Sequence, residues 1–448
     1  MMQTPIDQGK LMDEARRLVA AARAAGADAA DVVAATGVAF SADLRDGRVE
    51  ESERAEGDDV TLRVFCGRRV ASVSANSFQD GERLAERAVA MARVAPEDPF
   101  AGLVPADEIA TDFPELDLLD PATVDAAMLA ERARAAEAAA LAVAGVTKSG
   151  GASASWRLGG LVLATSEGFC GGYLVSRHGV SATAIAGDGT AMERDYDYDS
   201  RGFLADLDDA ADIGRRAGER AVARVNPRRL STRTADIVYE PRAARSLLGH
   251  LAGAINGAAI ARGTSFLKDK LGQAILPASI SVIDDPTRPR GAASRPFDGE
   301  GRPVAPLTLV ENGVLTQWLL DTPAARELGL APNARASRAG AGTSPSATNL
   351  TLSPGTRSQA ELLAGIGTGL FVTDLIGHGV NGVTGDYSRG ASGFWVEDGQ
   401  IAFPVSEITI AGNLVDMFAS LVAGSDLDTR SAYAVPSLLV KDMTIAGE

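Results

Sequence analysis

The sequence predicts an α+β protein, with an N-terminal α/β two-layer portion followed by a β-rich C-terminal domain on a large, mostly antiparallel or barrel-like sheet. Three observations carry this expectation. Apolar residues recur at helical spacing in several segments of the first half, separated by strand-like runs. The final ~220 residues read mostly as strands, with hairpin signals at Asn312-Gly313 and Asp398-Gly399. Glycine is abundant, 48 of 448 residues, which favours many tight turns.

Taken in order, Leu11, Ala15, Leu18, Val19 and Ala22 form one face of an opening helix that ends at Gly26. Runs at 31–45 and 48–54 flank Asp46-Gly47, a strong hairpin signal, and a further run spans Val60 to Val73. A helix capped by Ser77 or Asp80 carries Leu84, Ala88, Met91 and Ala92. An acid- and proline-containing linker (103–121) leads to an Ala-rich helix expected to start at Asp120 and Pro121. Strand material fills 150–198, and a helix through Ile213, Ala217, Ala221 and Val225 precedes Asn226-Pro227. Beyond it, helical patches are expected at 241–262 and from Ser358, where Glu361 completes a capping box. The domains expected are 1–105, an α+β unit; 106–228, a helix–strands–helix region packing with it; and 229–448, the β-rich part.

Composition excludes several classes. A net charge of −16 speaks against direct nucleic-acid binding. No apolar run approaches the ~18–20 residues that span a bilayer, and the N-terminus lacks a signal-peptide core. Two distant cysteines, Cys66 and Cys170, suggest no disulfide framework. The expected location is cytoplasmic.

Few motifs point to chemistry. The histidines are His178, His250 and His378, and H-E-x-x-H is absent. Gly377, Gly379 and Gly382 spell G-x-G-x-x-G, but a loop and strand follow where a dinucleotide site needs a helix. Ser265 and Lys268 form S-x-x-K without the S-D-N and K-T-G that accompany it in acyl enzymes. Gly249, Gly253 and Gly257 recur every fourth residue, which on one helix makes a close-packing face at the core or at a subunit seam. Asp195, Asp197 and Asp199 alternate along one strand face, which reads as a solvated face.

Longer blocks resemble a known family. The run GHGVNGVTGDYSRGASGFWVEDGQIAFPVSEITIAGNLVDMF (377–418) resembles the C-terminal signature of the TldD/PmbA family, in its PmbA (TldE) branch. RGTSFLKDKLGQ (262–273), IDDPTRPRG (283–291) and SRPFDGEG (294–301) resemble it too, as do 44–74 and 178–198 for its first two domains. The resemblance implies a cytoplasmic heterodimeric metallopeptidase acting on extended or unfolded peptides. Its TldD-type partner carries zinc on an H-E-x-x-x-H helix completed by a cysteine, and members also bear the label modulator of DNA gyrase. Anchored on Gly263, Thr264 and Ser265, the two histidine positions fall on Leu248 and Gly253 and the glutamate on Gly249, while no cysteine follows Cys170. No catalytic, cofactor or metal residue is therefore expected in this chain, and zinc is expected in the sister subunit. A homodimer is compatible with the chain alone. The loop 377–393, with His378, Asn381, Asp386, Tyr387 and Arg389, is the expected surface for substrate or partner. The alternatives are a self-sufficient hydrolase using Ser265/Lys268 or another metal, and a peptide-binding scaffold without a protease partner.

Overall fold

The computed structural model describes residues 6–339 and 342–447; residues 1–5, 340, 341 and 448 of the expected domains lie outside them. Helices make up 24% and strands 40%, so the expected α+β class is correct.

The first half contains α1 (Gln8–Ala24), β1 (Ala29–Arg45), β2 (Arg48–Cys66), β3 (Arg69–Ala75), α2 (Gly81–Val94), α3 (Ala126–Leu141), β4 (Val146–Thr165), β5 (Cys170–Ala186), β6 (Glu193–Arg201) and α4 (Ala210–Ala223). Its strands form one six-stranded sheet in the order β3-β2-β1-β4-β5-β6. Along β1, Ala30, Val32 and Ala34 pack with α1 and α2, and Ala42 and Leu44 with α3 and α4. These residues share one parity, so all four helices cover the same face of the sheet.

Three local expectations need correction. The runs at 48–54 and 60–73 are not separate: β2 continues to Cys66 and turns at Gly67 into β3, with β1 pairing along its whole length. The third helix starts at Ala126, capped by Asp125, whose carboxylate accepts from Met128 N. Asp120 is no N-cap. Its carboxylate accepts from Leu204 N at 2.7 Å and lies 2.9 Å from His178 Nε2, holding the linker to β5 and to the segment after β6.

The second half comprises β7 (Arg233–Tyr239), α5 (Pro241–Ala254), α6 (Gly257–Ala261), β8 (Val282–Asp284), β9 (Leu307–Glu311), β10 (Val314–Leu315), α7 (Thr322–Leu328), β11 (Ala336–Ala339), β12 (Gly342–Pro345) and β13 (Leu350–Leu352). It continues with α8 (Gln359–Ile366), β14 (Gly369–Ile376), β15 (Asp386–Glu397), β16 (Gln400–Asn413), α9 (Leu414–Ala419), β17 (Val422–Ala423), β18 (Tyr433–Ala434) and β19 (Leu438–Ala446). Strands β16-β15-β14-β7-β19 pair in that order, and β19 pairs back onto β16, closing a five-stranded barrel. Closure removes the unpaired edges an open sheet would expose. Asn312-Gly313 and Asp398-Gly399 turn β9 into β10 and β15 into β16, and both pairs take positive φ, as a two-residue hairpin requires. The capping box at Ser358 and Glu361 forms at the start of α8.

Buried charges join the two halves. The Asp31 carboxylate on β1 pairs with Arg63 on β2 at 2.5 Å and with Arg338 on β11 at 2.6 Å, all nearly inaccessible. Burial opposes that charge, but the two guanidiniums win and hold the Asp31 carboxyl at about 2.

Candidate functional site

Helix α5 leaves the barrel directly after β7. Pro241 at its start has no N–H to leave unsatisfied, and Leu247, Leu248 and Leu251 turn into the core. The expected helix 241–262 is broken: Asn256 caps a separate α6, its side chain accepting from Ala258 N. Gly257 therefore does not share a helix with Gly249 and Gly253. The three glycines also differ in surroundings. A Cβ at Gly257 would stand 2.5 Å from Leu320 Cδ2 and 2.7 Å from Leu319 O, so glycine is required there for close approach. At Gly249 the nearest atom would be Tyr433 Cε2 at 3.8 Å, and at exposed Gly253 nothing lies within 4 Å.

Leu248 is a core residue, 2% exposed, and neither it nor Gly249 nor Gly253 has a side-chain donor for a metal. Among the described residues, no group of three or more His, Cys, Asp or Glu side chains gathers closely enough to hold one. The residues present on this face of α5 do not fit zinc. What α5 does carry is His250, half-buried, its ring edge-on to Tyr387 at 6.1 Å between centroids. Burial lowers the His250 pKa, and the positive charge of Arg389 and the nearby His378 lower it further, so a neutral imidazole is favoured.

The loop after β14 thus lies beside α5. His378 and Asn381 are exposed; Asn381 Oδ1 accepts from Val383 N and Thr384 N and shapes the turn. Asp386 is exposed and bonds Thr384 and Asn413. Arg389 is half-buried. Tyr387 does not belong to the expected surface: it is 1% exposed, packed in the barrel core beside Tyr239.

Two competing motifs lose their geometry. Ser265 is 2% exposed, and its hydroxyl donates to Ala254 O at 2.6 Å and accepts from Leu267 N, while Lys268 is exposed. That serine fastens a loop to α5 and has no free path to a substrate. The glycines at 377–382 lead into β15, with no helix to face a pyrophosphate.

Family models match along most of the chain: PmbA/TldA metallopeptidase domain 1 at residues 30–92, the central domain at 119–225 and the C-terminal domain at 232–447. The chain belongs to the PmbA/TldD family. Metalloprotease PmbA of Escherichia coli O157:H7 is 38% identical over 98% of this chain and 97% of its own length. A Metalloprotease PmbA homolog of Haemophilus influenzae is 36% identical over 93% and 91%. A crystal structure from Bacteroides thetaiotaomicron, described as a candidate modulator of DNA gyrase, superposes with a TM-score of 0.90 at 27% identity, covering 99% of this chain and all of that one. TldE of Thermococcus kodakarensis shares the fold, with a TM-score of 0.86 at 18% identity over 97% of this chain and all of its own.

Within this PmbA/TldD fold, the sequence reading misplaced one charged constellation. Asp195, Asp197 and Asp199 are buried, not solvated; Tyr196 and Tyr198, between them, are the exposed residues. Asp197 takes Arg216 at 2.5 Å and Arg220 at 2.7 Å, and Asp195 takes Arg224 at 3.2 Å and Arg242 of α5 at 3.0 Å. Arg242 and Arg224 depress the Asp195 carboxyl against its burial. The ladder fixes the start of α5 to the first half's sheet.

Proposed function

We propose that this chain is the non-catalytic, PmbA/TldE-type subunit of a heterodimeric metallopeptidase that acts on extended or unfolded peptides in the cytoplasm. One observation carries the reading: the α5 positions that would supply two imidazoles and a carboxylate are a core leucine and two glycines, one of them facing open space. At Gly253 the helix presents bare backbone to open space, which suits a surface against which another chain lies. The TldD-type partner supplies the zinc and, with it, the polarised water that cleaves a peptide bond. This chain contributes assembly and grip on the substrate. An extended substrate is held by main-chain hydrogen bonds, which tolerate many sequences.

The test is metal content and activity with and without the partner. Equilibrated with zinc and stripped of excess, the isolated chain is expected to retain none and cleave no peptide. Co-expressed with a TldD-type chain, it is expected to co-purify and to yield an active complex. About one zinc per isolated chain, or activity alone, overturns the reading and makes His178, His250 and His378 the first residues to replace.

A further inference from the structure

Between the first half's sheet and the start of α5 lies a cavity of about 480 Å³, lined in part by Arg177, Tyr198, Arg245 and Arg430. It shares Arg177, Ser200, Ala292 and Arg430 with a second cavity of about 210 Å³ that reaches Arg288. Arginines outnumber carboxylates on the joint wall eight to six. In a chain of net charge −16 this is a local excess of positive charge.

Most of these arginines are spoken for. Arg245 and Arg430 pair with Asp428, and Arg220 and Arg242 with Asp197 and Asp195. Two are not. Arg177 donates from Nη2 to Ala292 O and has no carboxylate within ion-pair distance among the described residues. Arg288 has no such partner either, and its Nε and Nη2 are buried without a hydrogen-bond acceptor. Unused buried guanidinium donors are costly, and burial pulls both groups below the ordinary arginine range. The fork geometry of a guanidinium suits a planar oxyanion held through two bonds.

We propose that this arginine-lined cavity binds a carboxylate of an extended peptide, with Arg177 and Arg288 as the recognising pair. The inference rests on the peptide reading above and names the substrate feature this subunit grips. Position supports a peptide over a small free anion. Tyr198 lines the cavity and stacks on Tyr196 with ring centroids 6.1 Å apart, both exposed, and with Arg242 over the Tyr196 ring; Tyr198 gives a neighbouring side chain an aromatic surface to pack on. From the cavity wall, Arg245, Gly249 and Gly253 follow at every fourth residue along one stripe of α5. Eight residues of helix span ~12 Å, the length of about four extended residues. A carboxylate seated at the arginines therefore leaves the adjoining chain within reach of Gly249 and Gly253, two of the three positions that align with the sister's zinc motif.

The source of the carboxylate, chain terminus or acidic side chain, is decided by experiment. Three labelled peptides of one extended sequence are titrated into the full chain. The first has a free C-terminus, the second a C-terminal amide with one internal glutamate, the third an amide and no acid. Either carboxylate peptide, or both, is expected to bind about tenfold more tightly than the third, the scale of one charge-assisted pair. Arg177→Gln and Arg288→Gln are each expected to erase that advantage while leaving affinity for the third peptide unchanged. Arg177→Lys keeps the charge and restores it in part. Equal binding of all three, or an advantage that survives both Gln variants, overturns the carboxylate site and leaves the peptide reading standing. Binding of none overturns the peptide reading and this inference together.

Discussion

At the scale of single residues, the charges that matter are those the fold hides. Glu300 is 6% exposed, and burial together with the neighbouring Asp298 pushes its carboxyl up to about 7, against hydrogen bonds from Thr322 N and Oγ1. The folded chain thus holds this proton more tightly than the unfolded one. Stability from it is complete below the unfolded value near 4.5 and is lost as pH rises through about 7. Glu300→Gln keeps both acceptor bonds, and urea titrations from pH 5 to 7 are expected to lose a slope worth about 2–3 kcal/mol over that range. An unchanged slope assigns the titration to another group. The aspartate ladder shows what a sequence conveys and what it withholds. Alternation of Asp195, Asp197 and Asp199 is plain, and it does place them on one face. Which face required their partners: Arg216 and Arg220 on α4 and Arg224 at its C-cap follow every four residues, a rise of ~6 Å that matches two residues of strand. Each spacing is visible alone; the match between them is visible only once helix and strand are laid antiparallel.

At the scale of elements, hairpins, caps and helical stripes were legible because their signals are local. Asp46-Gly47, Asn312-Gly313 and the Ser358–Glu361 box all form where the residues say. Boundaries set by distant partners were not: Asp120 has the chemistry of a cap but is claimed by Leu204 and His178, more than fifty residues on. The break between α5 and α6 was also hidden, because Asn256 reads as an interior residue until its side chain is seen capping Ala258. That break separates two glycines with opposite behaviour. Gly257→Ala is expected to destabilise the chain by about 1–3 kcal/mol, since Leu319 O accepts a hydrogen bond from Gly257 N at 2.8 Å and cannot withdraw. Gly253→Leu meets open space, and thermal denaturation of the isolated chain is expected to show equal or slightly higher stability, by up to ~1 kcal/mol from helix propensity. Pull-down with a TldD-type chain is expected to show at least tenfold weaker assembly for that variant. Full assembly would mean the partner does not cover this face of α5.

At the scale of the whole molecule, an open six-stranded sheet and a closed five-stranded barrel share one chain with a further five-stranded sheet, β10-β9-β8-β13-β18, and the β11-β12 ribbon. A barrel-like sheet was among the expectations for the second half; which strands close it was not readable, since β19 must meet both β7 and β16 and none of these strands is adjacent in sequence. Nor was the buried junction at Asp31, whose partner Arg338 lies 307 residues away. Asp31→Asn leaves Arg63 and Arg338 buried against a neutral group, and a loss of about 3–5 kcal/mol is expected in urea unfolding. The wild-type junction is expected to weaken as pH falls from the ordinary aspartate value of 3.8 through about 2, where the carboxylate takes its proton. Loss of the junction without any change in unfolding would mean the two halves are held elsewhere.

Strand β7 has both its neighbours far downstream, β14 at 369–376 and β19 at 438–446. On a ribosome adding ~5–20 residues per second, the interval between emergence of β7 and emergence of β19 is roughly 10–40 s. For most of it, until β14 emerges, Ile237, Val238 and Tyr239, all inaccessible in the finished barrel, have no strand to receive them, and the edge that β19 covers stays open to the end. The nascent chain thus carries an apolar strand with at least one open edge for roughly 10–40 s, long on the microsecond scale of hydrophobic collapse. Factors that shelter emerging chains, and the pace of translation over the second half, become determinants of yield for this barrel.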